Sequence, residues 1–99
     1  MLNIEKKLEG GKLYVTLKGR LDTTTSPELE KCLSESLPEV TELVLDLENL
    51  EYISSAGLRV LLTAQKTMTK QGSMKLVHVN DLVLEILEVT GFVDILTIE

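Results

Sequence analysis

Tyr52-Ile53-Ser54-Ser55-Ala56-Gly57-Leu58-Arg59-Val60-Leu61-Leu62 is the stretch that decides how this chain reads. An apolar, strand-like run ends at Ile53, and from Leu58 onward apolar residues recur at helical spacing. Two hydroxyls stand at the changeover, and Ala56 and Gly57 leave it sterically open. A helix start presents N–H groups with no partner inside the helix and the positive end of its dipole, so it tolerates negative charge. A serine there is a favoured cap, and the same position can hold a phosphoryl group.

Downstream, the pattern predicts a helix from about Ala56 to Lys70 with Leu58, Leu61, Leu62 and Met68 on its apolar face, ended by Gly72. Met74 to Val79 reads as a strand. Asn80 or Asp81 caps a third helix bearing Leu82, Ile86, Leu87 and Val89; Gly91 terminates it, and Val93 to Ile98 reads as a last strand.

Upstream, Val40 to Leu47 is strand-like, and its Leu43-Val44-Leu45 run suits a strand covered on both faces. Asn49–Ser55 reads as a connection. Ser26-Pro27 looks like an N-cap followed by proline at the first helical position. Leu29, Cys32, Leu33 and Leu37 then recur at helical spacing until Pro38. Gly19 to Thr25 is a polar connection. Leu13, Val15 and Leu17 alternate with polar neighbours, and so, less cleanly, do Ile4, Lys6 and Leu8; Gly10-Gly11 between them predicts a hairpin. The expected order is β-β-α-β-α-β-α-β: one α/β domain over residues 1–99, with a mixed, mostly parallel sheet after an N-terminal β-hairpin.

Sixteen acidic residues against ten basic ones give a net charge of −6, which argues against direct, non-specific nucleic-acid binding. Aromatics make up only 3% of the chain, so Leu, Val and Ile must build the core. Cys32, the single cysteine, cannot form an internal disulfide and reads as a small core residue. The first residues carry no long apolar run of the signal-peptide kind, and runs such as Leu82-Val83-Leu84 are far shorter than the roughly 18 residues of a spanning helix. The expectation is a cytoplasmic protein without membrane insertion.

Few residues suggest catalysis. Ser54 and Ser55 read first as a helix cap, Thr23-Thr24-Thr25 as a solvated turn, and Asp22 as a group that bonds its own loop. His78 is the only histidine. A Ser-His hydrolase with Asp22 or Asp46 orienting the ring is conceivable, but the Gly-x-Ser-x-Gly elbow is missing because position 53 is Ile. Glu48 and Glu51 read as a solvated loop. No cluster of Cys, His and acids has metal spacing along the sequence, and no glycine-rich nucleotide cradle is present. No enzyme activity and no cofactor are expected.

Asp46-Leu47-Glu48-Asn49-Leu50-Glu51-Tyr52-Ile53-Ser54-Ser55-Ala56-Gly57-Leu58 resembles the signature of STAS domains, specifically the anti-sigma factor antagonists. Gly19-Arg20-Leu21-Asp22 with Thr25, Gln71-Gly72 and Val89-Thr90-Gly91-Phe92 match further family positions in the same order. The resemblance implies a binding module switched by phosphorylation. Unphosphorylated antagonist binds an anti-sigma factor that is also a serine kinase and so frees a sigma factor; a PP2C-type phosphatase resets it. By position the modified serine is Ser55. The family usually has Asp where this chain has Ser54, which makes Ser54 the alternative site. The partner surface implied comprises Asp22, Thr23, Thr24, Ser54, Ser55, Ala56, Gly57, Leu58 and Arg59. A constitutive STAS subunit of a lipid-transporting ATPase complex is the alternative function.

Phosphorylation of Ser55 adds about −1.5 to −2 charge. At a helix start the fold is expected to survive, leaving the interface to change. Arg59 lies four residues on and can reach the same helix end. A cation in the first turn opposes the helix dipole, so its expected partner is a phosphate on Ser55 or a carboxylate on another protein.

Overall fold

A computed structural model describes residues 1–99. Strand β1 (Leu2–Glu9) turns at Gly10-Gly11 into β2 (Lys12–Leu21). Both glycines have positive φ, +54° and +93°, as the tight turn of a two-residue hairpin loop requires. Helix α1 (Ser26–Ser36), strand β3 (Glu42–Ile53), helix α2 (Ser55–Gln71), strand β4 (Ser73–Val77) and helix α3 (Asp81–Val89) follow. The sheet order is β1-β2-β3-β4. β1 is antiparallel to β2, and β2, β3 and β4 are mutually parallel, joined by α1 and α2 as crossovers.

Alternation sorts the sheet into two faces. Leu13, Val15, Leu17, Leu43, Leu45, Met74 and Leu76 join one buried cluster with Leu29 and Leu33 of α1, Leu61, Ala64 and Met68 of α2, and Val83 and Leu87 of α3. The opposite face carries Lys12, Tyr14, Thr16, Glu42, Asp46 and Lys75, none of them buried. Val44 is buried there without a helix over it: the pairing register sets it between Tyr14 and Lys75, whose side chains flank it. The sequence-based expectation of a strand covered on both faces is corrected accordingly.

β3 is longer than the sequence predicts, because the supposed Asn49–Ser55 connection is mostly strand. Two irregularities in the β2–β3 register let it continue. Leu47, Leu50 and Ile53 are spaced by three, yet all face the core, since each bulge absorbs one extra residue.

Three further details differ from the sequence reading. Helix α1 begins at Ser26 with Thr25 before it, and neither hydroxyl caps: Thr25 Oγ1 donates to the Arg20 carbonyl at 2.7 Å instead. Helix α3 buries Val83 and Leu87, whereas Leu82 and Val89 are exposed at 52% and 82%. Of the predicted stripe Leu87 is buried and Ile86 packs partly against the core, whereas Val83 takes the inward place expected of Leu82. The predicted strand Val93–Ile98 is a 3₁₀ turn over Phe92–Asp94 followed by one parallel bridge between Leu76 and Ile98. Gly91, at φ +81°, starts a turn that is closed by Ile95 and Leu96 N–H groups on the Phe92 carbonyl. Only the last residues are left to reach the edge of β4. No helix is long and apolar enough to cross a membrane.

Candidate functional site at the start of helix α2

The carboxyl ends of β2 and β3 lie side by side, with Leu21 opposite Ile53 in the register. The Ser54 N–H donates to the Leu21 carbonyl at 2.8 Å and ties the two loops that follow. The Asp22–Thr25 turn and the start of α2 therefore share one edge, as open α/β sheets arrange their functional loops.

The two serines have different jobs. Ser54 is the N-cap of α2, in extended conformation, and its Oγ accepts the Gly57 N–H at 3.2 Å. It is only 9% exposed. Ser55 is the first helical residue and is exposed. The Leu58 N–H is already taken by the Ser54 carbonyl. The N–H groups of Ser55 and Ala56 precede the first residue that can bond within the helix, so the dipole's positive end opens beside the Ser55 hydroxyl.

Gly57 and Leu58 do not belong to the accessible surface. Gly57 is buried, and a Cβ built on it would meet Leu21 Cγ at 2.7 Å and Ile53 Cγ1 at 3.0 Å. The glycine lets α2 approach the sheet closely. Leu58 is 5% exposed and packs in the core. The expectation that Ala56-Gly57-Leu58 forms an open contact surface is thus corrected to Ser55, half-buried Ala56 and exposed Arg59. Arg59 and Ala56 line a small groove of about 130 Å³ together with Thr23, Ser26, Pro27, Glu30 and Val60.

Asp22 organises the neighbouring loop. Its Oδ1 accepts the Thr24 hydroxyl at 2.8 Å and the Thr24 and Thr25 N–H groups at 3.0 Å each. The Thr24 hydroxyl and the Thr25 N–H hold its carboxyl down to about 2. Asp22 is thus committed to its own turn, while Thr23 and Thr24 remain exposed.

The sequence reading gave no role to Arg20 and Tyr52. They stand opposite each other in the register, with the guanidinium 4.6 Å above the ring centroid and Arg20 Nε 3.9 Å from Asp22 Oδ2. This cation–π pair abuts both loops. Gly19-Arg20-Leu21-Asp22 was a visible signal, but nothing along the chain says that Tyr52 lies across from Arg20.

His78 is not near Ser55. Its Nδ1 lies 3.0 Å from Asp46 Oδ2, which also accepts the Tyr14 hydroxyl at 3.1 Å. Asp46 precedes Ile53 by seven positions on β3 and faces away from the helices, so roughly 20 Å of strand separates the histidine from Ser55. The Ser-His hydrolase geometry is absent. Hydrogen bonding and charge from Asp46 raise the His78 pKa above its ordinary 6.5. Partial burial pushes the Asp46 pKa up, but the Glu48 N–H, His78 and Tyr14 outweigh it, and the net shift is downward. Burial, then the bond to Asp46, raises the Tyr14 pKa.

The STAS-domain family model matches residues 3–99. The chain belongs to the STAS domain family. An anti-sigma F factor antagonist of Paenibacillus polymyxa is 34% identical to this STAS domain, over 98% of the chain and 86% of that protein. An anti-sigma-B factor antagonist of Bacillus subtilis is 28% identical over 98% of the chain and 90% of the relative. Among solved structures, the antagonist SpoIIAA in unphosphorylated form superposes with a TM-score of 0.83 at 16% identity, covering 98% of this chain and 88% of that one. The Bacillus SpoIIAA in phosphorylated form gives 0.76 at 15% identity, over 98% and 91% of the two chains. At those identities the superpositions speak for the fold.

Proposed function

We propose that this STAS domain is an anti-sigma factor antagonist whose contact with its partner is switched by phosphorylation of Ser55. The observation that carries the reading is the division of labour at the start of α2. Ser54 is buried and committed to the cap, while Ser55 is exposed at the helix's positive end. A dianion on Ser55 gains from the dipole and from nearby N–H groups, so the fold need not rearrange to accept it. The two relatives above bear the name of anti-sigma factor antagonists, which supports the partner class.

In the unphosphorylated form the surface around Ser55, Ala56, Arg59, Thr23 and Thr24 docks on an anti-sigma factor with serine kinase activity and frees the sigma factor. Phosphate on Ser55 must then be desolvated or pressed against fixed groups of the partner. A hundredfold loss of affinity corresponds to about 2.8 kcal/mol, and one badly matched buried charge is enough to supply it. Arg59 lies one turn along the same helix face and pairs with the phosphate or with a carboxylate of the partner. A PP2C-type phosphatase restores the hydroxyl.

The test is incubation with a kinase-type anti-sigma factor from the same organism and ATP, followed by mass-spectrometric mapping. Phosphate on Ser55, abolished in Ser55→Ala and retained in Ser54→Ala, is the expected result. No modification, together with co-purification of a transporter ATPase, would replace this reading with that of a constitutive transporter subunit.

A further inference from the structure

On the open face of the sheet, Asp46, Glu48 and His78 each bring one donor atom to within 4.8 Å of the others. Sequence spacing hides this group, because His78 comes from a different strand. Asp46 pairs with Val77, so His78 arrives one residue past the end of β4. There it takes φ +54°, a left-handed conformation uncommon outside glycine. Its Nδ1 ends 3.0 Å from Asp46 Oδ2.

Asp46 is oriented in advance. The Glu48 N–H donates to Oδ1 at 3.1 Å, and the Tyr14 hydroxyl donates to Oδ2 at 3.1 Å. The Asp46 side chain is 14% exposed and that of His78 is 60% exposed. Asp46 forms a floor that an ion reaches from solvent past the imidazole and Glu48.

We propose that Asp46, Glu48 and His78 form a binding site for a divalent transition metal of the zinc type. An imidazole nitrogen with two carboxylate oxygens suits zinc and its neighbours, whereas magnesium and calcium prefer all-oxygen shells. Ligand atoms about 2.1 Å from a tetrahedral zinc stand roughly 3.4 Å apart, so the present 3.0 Å between His78 Nδ1 and Asp46 Oδ2 has to open by only a few tenths of an ångström. The ion takes the place of the Nδ1 proton between those two atoms; from an imidazolium one proton is released to solvent, and in the neutral ring the proton sits on Nε2. Two carboxylates and a neutral imidazole bring two negative charges to a doubly positive ion. Tyr14 stays as the outer donor that fixes Asp46. Three protein ligands leave one tetrahedral position for water or for a donor from another molecule. The site stands apart from Ser55 and does not depend on the switch proposed there.

His78 is the sole histidine, so its ring resonances report on the site without ambiguity. The experiment is titration of the full chain with zinc chloride at neutral pH, read by calorimetry and by imidazole NMR. A saturable one-to-one isotherm with a matching shift of the His78 ring is expected. Tyr14→Phe is expected to weaken binding roughly tenfold or more as an outer-sphere change. Glu48→Gln weakens it, and His78→Asn, which tolerates positive φ, abolishes it. Cys32→Ser must leave it intact, since the free thiol is the competing soft ligand. Absence of saturable binding at millimolar zinc, an unshifted ring, or binding that vanishes with Cys32→Ser would overturn the site. If a variant fails to fold, the wild-type ring shift decides alone.

Discussion

The Ser54 hydroxyl accepts the Gly57 N–H at 3.2 Å, while Ser55, the next residue, stands exposed. Two adjacent serines are thereby separable by stability alone. Ser54→Ala removes a cap and is expected to cost about 1 kcal/mol, within a range of roughly 0.5–2. Ser55→Ala is expected to stay within about 0.5 kcal/mol of wild type. Urea denaturation followed by circular dichroism measures both. Equal losses in the two variants would contradict the assignment.

Gly57→Ala tests the contact between α2 and β2. An added methyl would lie 2.7 Å from Cγ of Leu21, which is fully buried and has nowhere to retreat. Overpacking of this kind costs about 1–3 kcal/mol, less the several tenths that alanine gains over glycine in a helix. A net destabilisation of about 1–2 kcal/mol is expected, with NMR shift changes centred on Leu21 and Ile53. A stabilised protein would show that the helix can slide away freely.

Asn80 joins α3 to the end of β3. Its Nδ2 donates one hydrogen to the Leu50 carbonyl at 2.7 Å and shares the other between the carbonyls of Leu47 and Glu48, each at 3.2 Å, and its Oδ1 accepts the Val83 N–H at 2.9 Å. Asn80→Asp keeps the cap but turns a donor into a charge facing carbonyl oxygens. It is expected to lose about 2 kcal/mol, as a broken and partly buried polar network does. Thermal unfolding checks this; a variant as stable as wild type would mean that capping alone matters there.

Asp46 makes His78 titrate above 6.5. A folded-state pKa raised above the unfolded one favours the folded protein at pH below the unfolded value, and that contribution disappears as pH rises through the folded value. NMR titration of the single histidine is therefore expected to give a value above 6.5 in wild type and a lower one in Asp46→Asn. The wild-type stability advantage over His78→Asn is expected to shrink as pH climbs through that raised value. A histidine pKa unchanged by Asp46→Asn would break the pair.

Much of the architecture was legible because local signals agreed. Gly10-Gly11 between alternating runs marked the hairpin, Ser54 and Gly72 bracketed α2, and Asn80 preceded α3. What escaped the sequence was tertiary. Leu47, Leu50 and Ile53 break strict alternation, and only the β2–β3 register shows that bulges restore it. Helical spacing places Leu58 on the apolar face, where it is buried, while the family resemblance places it in the partner surface; the cap on Ser54 fixes the helix start that turns it inward. The Asp46–His78 and Arg20–Tyr52 pairs join residues more than thirty positions apart, where no spacing rule applies.

The most direct test is the affinity of this domain for the anti-sigma factor proposed as its partner, measured by calorimetry with phosphoserine placed at position 55 and with the unmodified chain. At least a hundredfold weakening, about 2.8 kcal/mol, with an unchanged far-ultraviolet spectrum is the predicted result. Equal affinities, or a phosphorylated chain that has lost its native spectrum, would contradict a surface switch at Ser55.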